Sequence, residues 1–170
     1  MRAVVLLAVA YALATRAYEL WLTRRNGARL AARGARLVPR DGIGLLAGVH
    51  ALWFLGLVVE ELVTGPSFHA PAARWTCLAL FLAAEALRFW CKASLGERFS
   101  VRVIVLPGEP LVSRGPYRFA RHPNYAAALV LVAALPLALG LVWTPALVVP
   151  LKILALARRV RVEDAALAVG

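Results

Sequence analysis

Along the 170-residue chain, apolar residues come in long runs, not in the alternating or one-faced patterns of a soluble fold. Ala3 to Leu22 and Ile43 to Val63 are each about 20 residues long, enough for a helix to cross a hydrocarbon layer of about 30 Å. Ala72 to about Trp90 predicts a third span. Tyr125 to about Ala157 holds two shorter runs broken near Pro136, Gly140 and Pro145, and predicts a tight helical hairpin. Its arms, roughly 15 residues each, either cross fully or dip in from one face. The expected fold class is all-α, a polytopic membrane helical bundle with about five transmembrane helices.

Charge gives this bundle a direction. Arg24, Arg25, Arg29, Arg33, Arg36 and Arg40 crowd the first connection, whereas the second, around Glu60, Glu61 and His69, carries no Lys or Arg before Arg74. Positive connections mark the cytoplasmic side, so the first connection, the segment from Lys92 to His122 and the Arg158, Arg159, Arg161 end all share that face. A cleaved signal peptide over Met1 to about Ala14 is the competing reading; the apolar run continues to Leu22, and the arginines after it resist export.

Composition agrees. The chain is 62% hydrophobic, with mean hydropathy +0.73, well above the roughly half apolar content of a soluble domain. Twenty Lys and Arg against nine Asp and Glu leave a net charge of +11, but their place beside apolar runs argues for membrane topology and against nucleic-acid binding. Heavy use of Ala, Leu, Val and Arg points to a GC-rich, bacterial genome and hence to a bacterial inner membrane. Cys77 and Cys91 read as packing residues, and the scattered His50, His69 and His122 suggest no metal site. Gly44, Gly48 and Gly56 fall on similar faces of the second span and predict close helix contact. Arg16 with Glu19, and Glu85 with Arg88, predict ion pairs three residues apart. Arg2, Trp21, Trp53, Trp75, Trp90 and Trp143 predict interfacial anchoring.

The segment Leu111 to Tyr125, LVSRGPYRFARHPNY, is too irregular for a long helix and too polar for hydrocarbon. In Gly115-Pro116-Tyr117 and His122-Pro123-Asn124-Tyr125 each proline fixes its own φ and restricts the residue before it. Pro123 is expected to open the next helix, where free backbone N–H groups suit a carboxylate. Read alone, this is a helix start with an interfacial Tyr and His. Arg159 and Glu163, four apart on the last helix, read alone as an intrahelical pair worth roughly 0.3–0.5 kcal/mol. The topology brings both clusters to one membrane face. There Arg159 suits a carboxylate or enolate, and Glu163 a cation or ribose hydroxyls.

From about Leu95 to Leu167, and most strongly in LPGEPLVSRGPYRFARHPNY and RVRVEDAAL, the chain resembles the isoprenylcysteine carboxyl methyltransferase-like family of integral-membrane methyltransferases. The resemblance implies a single domain over residues 1–170. Three N-terminal spans occupy 1–91, and a cytoplasmic cofactor-binding loop, hairpin and C-terminal helix occupy 92–170. It implies S-adenosyl-L-methionine as cofactor, consistent with the absence of a Gly-rich Rossmann turn. The family's cofactor positions match Glu109, Pro110, Leu111, Val112, Tyr117, His122, Pro123, Asn124, Tyr125 and Glu163, and its substrate-facing arginine matches Arg159. The bacterial branch, which includes alkylpyrone O-methyltransferase-like proteins, is the nearest in pattern. Glu109 stands where many relatives have His, Asp164 where most have Glu, and Leu131 where some bacterial relatives have Glu.

The activity expected from the resemblance is methyl transfer to a carboxylate or to an enol or phenolic hydroxyl of a lipidic substrate, with membrane lipid around it. A carboxylate or an acidic enol is already largely ionised near neutral pH, so for these no dedicated base is required. Arg159 is expected to hold it. Phospholipid N-methylation fits less well, because an amine sits poorly beside Arg159. A noncatalytic membrane anchor or assembly protein is the other class, and cofactor binding separates the two.

Overall fold

The computed structural model describes residues 2–169, for Val169 only its backbone, and within them the architecture is helical. Five α-helices follow in order: α1 (Arg2–Ala32), α2 (Ile43–Val63), α3 (Pro71–Leu95), α4 (Pro123–Leu139) and α5 (Trp143–Val169). Two of them, α1 and α2, are long and apolar enough to cross a membrane; α4 is a shorter apolar helix. The core forms where α3 packs on α4 and α5 packs on α2 and α4. Leu57, Leu131, Leu135, Leu141 and Val148 are buried at its centre.

Three features depart from the expected pattern. The hairpin breaks only at Gly140, in the left-handed region at φ 87°, where a Cβ would come within 2.9 Å of Pro66. Pro136 lies inside α4. A proline supplies no N–H, so the carbonyl of Val132, one turn earlier, loses its helical partner; the indole Nε1–H of Trp53 donates to that oxygen at 3.0 Å. Trp53 is therefore a core residue at 5% exposure, while Trp21, Trp75, Trp90 and Trp143 are exposed as anchoring requires. Of the three glycines on α2, only Gly56 meets a neighbour, Thr144 on α5; Gly44 and Gly48 face open space.

A short antiparallel ladder was not anticipated. β1 (Arg36–Leu37) pairs with β2 (Ile104–Val105), Arg36 opposite Val105 and Leu37 opposite Ile104. It ties the first connection to the segment after α3. Asn26 near the end of α1 donates to the carbonyls of Gly96 and Phe99, at 3.2 and 2.9 Å, at the turn that closes α3. At the opposite end of the bundle the Glu60 carboxylate accepts the backbone N–H groups of Val142, Trp143 and Thr144 at 2.6, 2.9 and 2.7 Å. These are the orphan donors that begin α5, and α2 supplies their acceptor.

Trp53→Phe strands the Val132 carbonyl and is expected to cost about 1–3 kcal/mol, read as a lower unfolding midpoint in detergent. Pro136→Ala restores an N–H to that carbonyl, so the loss on Trp53→Phe should shrink in the Pro136→Ala background. Equal losses in both backgrounds would remove this account of Trp53.

Candidate functional site

The polar segment between α3 and α4 forms one wall of a cavity of about 670 Å³, and the last turns of α5 form another. Gly115 opens a short 3-10 turn, Gly115–Arg118, with φ 59°, and a Cβ there would overlap the Ser94 hydroxyl on α3. Only glycine lets the loop lie this close to the helix. Pro123 starts α4 with His122 as the residue before it, as the sequence predicts.

This placement orders the side chains. The imidazole of His122 stacks on the ring of Tyr125, centroids 5.3 Å apart and 9° from parallel. His122 Nε2 lies 3.0 Å from Asp164 Oδ1, and Nδ1 lies 3.8 Å from Glu163 Oε2. The Tyr125 hydroxyl donates to Glu163 and accepts from Arg159 Nε at 3.2 Å. Burial, then the neighbouring Cys91 thiol, pushes the Tyr117 phenol above its ordinary range, so it stays protonated. Glu109 is held by Arg98 and, at 2.5 Å, by Arg33, just past the end of α1. Arg98 Nη1 donates to the Pro110 carbonyl at 2.6 Å, which fixes the start of the loop.

Of the ten positions matched to cofactor contacts, nine line this one cavity: Glu109, Pro110, Leu111, Val112, Tyr117, His122, Asn124, Tyr125 and Glu163. Pro123 does not; its part is to begin the helix. Asp164 also lines the cavity. Arg159 is absent from its wall. The expected Arg159–Glu163 intrahelical pair is absent from the ion pairs of the described residues, and the guanidinium is spent elsewhere. Arg159 Nη1 donates to the Asp41 carbonyl at 2.8 Å and lies 3.2 Å from the Asp41 carboxylate, and Nη2 donates to the Val101 carbonyl at 2.6 Å. At 3% exposure, Arg159 reaches the cavity through Tyr125.

Asp41 is the residue that sequence reasoning missed. It is 1% exposed, and its carboxylate accepts from Ile43 N, Arg102 Nε and Val103 N at 3.1, 2.7 and 3.0 Å. The only signal was one acidic residue at the end of an arginine-rich connection. Burial by itself would raise its pKa; the Arg102 and backbone hydrogen bonds and the Arg159 charge outweigh that and hold it below the usual carboxylate range. Arg98, Ser100, Arg102 and Arg121, also unassigned from sequence, add to the cavity wall.

The chain belongs to the isoprenylcysteine carboxyl methyltransferase family, whose model matches residues 77–169. It is similar to the uncharacterized protein YpbQ of Bacillus subtilis, 30% identical over 162 residues that cover 95% of each chain. A second relative, an uncharacterized protein of Haemophilus influenzae, is 26% identical over 156 residues, 91% of this chain and 90% of that protein. No solved structure matches. Membership makes the chain a membrane-associated methyltransferase by class.

A lowered carboxylate pKa contributes stability that is complete above the unfolded value, about 3.9, and is lost as pH falls through the lower folded value. Asp41→Asn leaves Arg159 buried without its anion and is expected to cost about 3 kcal/mol at neutral pH. The difference from wild type should begin to narrow below about pH 4, where Asp41 of the unfolded chain takes up a proton, and close as pH falls through the lower folded value. Thermal unfolding across pH checks this; a difference independent of pH would rule it out.

Proposed function

We propose that the chain is a single-domain, multi-pass membrane enzyme of about five spans. It binds S-adenosyl-L-methionine in the large cavity and methylates the carboxylate, or the enol or phenolic oxygen, of a lipidic substrate at the cytoplasmic face. The observation that supports it best is the convergence of nine separately matched positions on one cavity. Its volume, about 670 Å³, lies within the roughly 300–1,000 Å³ of small-molecule sites. The donor set suits the cofactor. Glu163 and Asp164 offer acceptors for hydroxyls or an ammonium, Arg98, Arg102 and Arg121 suit a carboxylate, and the Tyr125 and His122 rings offer a flat apolar surface. The arginine-rich first connection, the ladder and the end of α5 gather at the same end of the bundle, which by charge is the cytoplasmic one.

When bound, the cofactor supplies a sulfonium methyl that passes to an oxyanion as the carbon–sulfur bond breaks and its electron pair stays on sulfur. The protein orients and desolvates. Glu163 holds the Tyr125 hydroxyl from one side and Arg159 holds it from the other, so the ring stands fixed against His122. Arg159 acts in this arrangement as a positioning residue, its charge reaching the cavity through one phenol. An acceptor that is already ionised loses no proton, and Tyr117 stays a donor rather than a base.

Calorimetry of S-adenosylmethionine on detergent-purified protein tests the reading. Saturable binding is expected in wild type, with at least a roughly tenfold loss in Glu163→Ala and in His122→Ala. No binding by folded wild type would favour a noncatalytic membrane protein that keeps the family's architecture. Arg159→Ala should lower turnover at least about 100-fold while binding falls less than about tenfold; parallel losses would withdraw the positioning role.

A further inference from the structure

Deeper in the bundle, cations outnumber carboxylates. Arg16 Nη1, Arg88 Nη2 and Lys92 Nζ lie 2.8, 2.5 and 3.0 Å from the carboxylate of Glu19, so three cations share one buried anion. The expected Glu85–Arg88 pair gives way to Arg88–Glu19, and Glu85 takes part in no ion pair among the described residues. Lys152, buried at 2% exposure, contacts the His50 imidazole, its Nζ 3.2 Å from Nε2. His50 Nδ1 lies 2.8 Å from the Leu46 carbonyl, which makes Nδ1–H the donor and leaves Nε2 to accept from the Lys152 amine. Three cations, Arg16, Arg88 and Lys92, therefore stand against two carboxylates, Glu19 and Glu85, with the Lys152 amine nearby, and unbalanced charge is costly in such a place.

The excess faces a space. Arg16, Arg88, Glu85 and the His50 ring line a cavity of about 30 Å³ whose remaining wall includes Trp53 and Phe81. One water needs about 10–15 Å³ by the same measure, so the space holds two oxygen-sized groups, the size of a carboxylate. Its position matters as much as its charge. Arg88 Nε lies 3.3 Å from Asn124 Oδ1, and Asn124 lines the large cavity, so one residue separates the two spaces. On the outer side stands α1, the less enclosed of the two long apolar helices, with 11% of its apolar stretch buried against 28% for α2.

We propose that the small cavity receives the oxyanion of an amphiphilic acid between Arg16 and Arg88, with its alkyl chain leaving past Phe81 between α1 and α3. Two guanidinium groups suit a carboxylate, and its charge offsets the surplus that Glu19 and Glu85 leave. The chain has no room inside the cavity and is accommodated by lipid. On the methyltransferase reading, on which this extension rests, the acid is the methyl acceptor held at an entry subsite. Its oxygen must pass Asn124 into the large cavity before transfer, because the reacting atoms have to meet at about 3–3.5 Å. A neutral alcohol of the same length supplies the chain without the charge and is a poor ligand.

Trp53 reports on the site, because it lines the cavity and is buried. In the full chain carrying Trp21→Phe, Trp75→Phe, Trp90→Phe and Trp143→Phe, Trp53 is the one remaining indole. The probe is dodecanoic acid brominated on an early chain carbon, since bromine quenches indole fluorescence on contact; the matching brominated alcohol is the comparison. Saturable quenching by the acid is expected at concentrations at least about tenfold below those the alcohol needs. Arg16→Gln should weaken the acid about tenfold, whereas Lys92→Gln, which also removes a Glu19 partner but does not line the cavity, should change it less than about twofold. Equal quenching by acid and alcohol, or an acid response indifferent to Arg16→Gln, would overturn the proposal. S-adenosylmethionine calorimetry on the same sample keeps the two readings apart. Acid binding without cofactor binding removes the methyltransferase reading and leaves the anion site; cofactor binding without selective acid binding does the reverse.

Discussion

The Asp41–Arg159 contact is the constraint on which the site depends. Both side chains are withdrawn from solvent, and removing two opposite charges from water stabilises a fold only when their remaining hydrogen-bonding capacity is met. Here it is met from three parts of the chain. Asp41 takes N–H groups from the start of α2 and from the segment after α3, and Arg159 gives its remaining donors to the carbonyls of Asp41 and Val101 and to Tyr125. The first connection, the central loop and α5 are held in one register as a result. Tyr125 takes part of its position from it, through Arg159 Nε.

The family's match begins at residue 77, so Asp41, β1 and α1 lie outside the matched region. They nonetheless complete the site. Arg33, just past the end of α1, holds Glu109, and Thr23 of α1 accepts the Val101 N–H at 2.9 Å beside the carbonyl that Arg159 uses. The N-terminal helices thus supply the floor on which the C-terminal chemistry is mounted. A comparable economy governs the bundle interior, where an unpaired backbone group costs several kcal/mol in an apolar medium. Trp53 answers the carbonyl that Pro136 leaves free, and Glu60 answers the first N–H groups of α5. Each substitution of a side chain for a missing backbone partner also links two helices.

Much of this was legible in the sequence because it is local or one-dimensional. The helices follow from runs of apolar residues, the start of α4 from Pro123, the Arg16–Glu19 pair from helical spacing, and the shared end of the polar segments from the distribution of arginines. Nine cavity positions were named from short strings whose order survives in the fold. The errors fall where a partner lies far along the chain. Arg88 prefers Glu19 over Glu85, Arg159 prefers Asp41 over Glu163, and Trp53 turns inward to Val132 in place of the interface.

The sequence by itself determined a membrane-associated helical chain of a methyltransferase family, because hydropathy, charge placement and a dense polar string are properties of residues in order. Only the tertiary structure decided which ionisable groups meet across the bundle. Asp41 and Arg159 are separated by 118 positions and Glu19 and Arg88 by 69, and no spacing rule reaches so far. Such pairs are selected by desolvation. Once burial removes water, each charge takes whichever counter-charge the packing brings within reach, and that choice belongs to the assembled bundle.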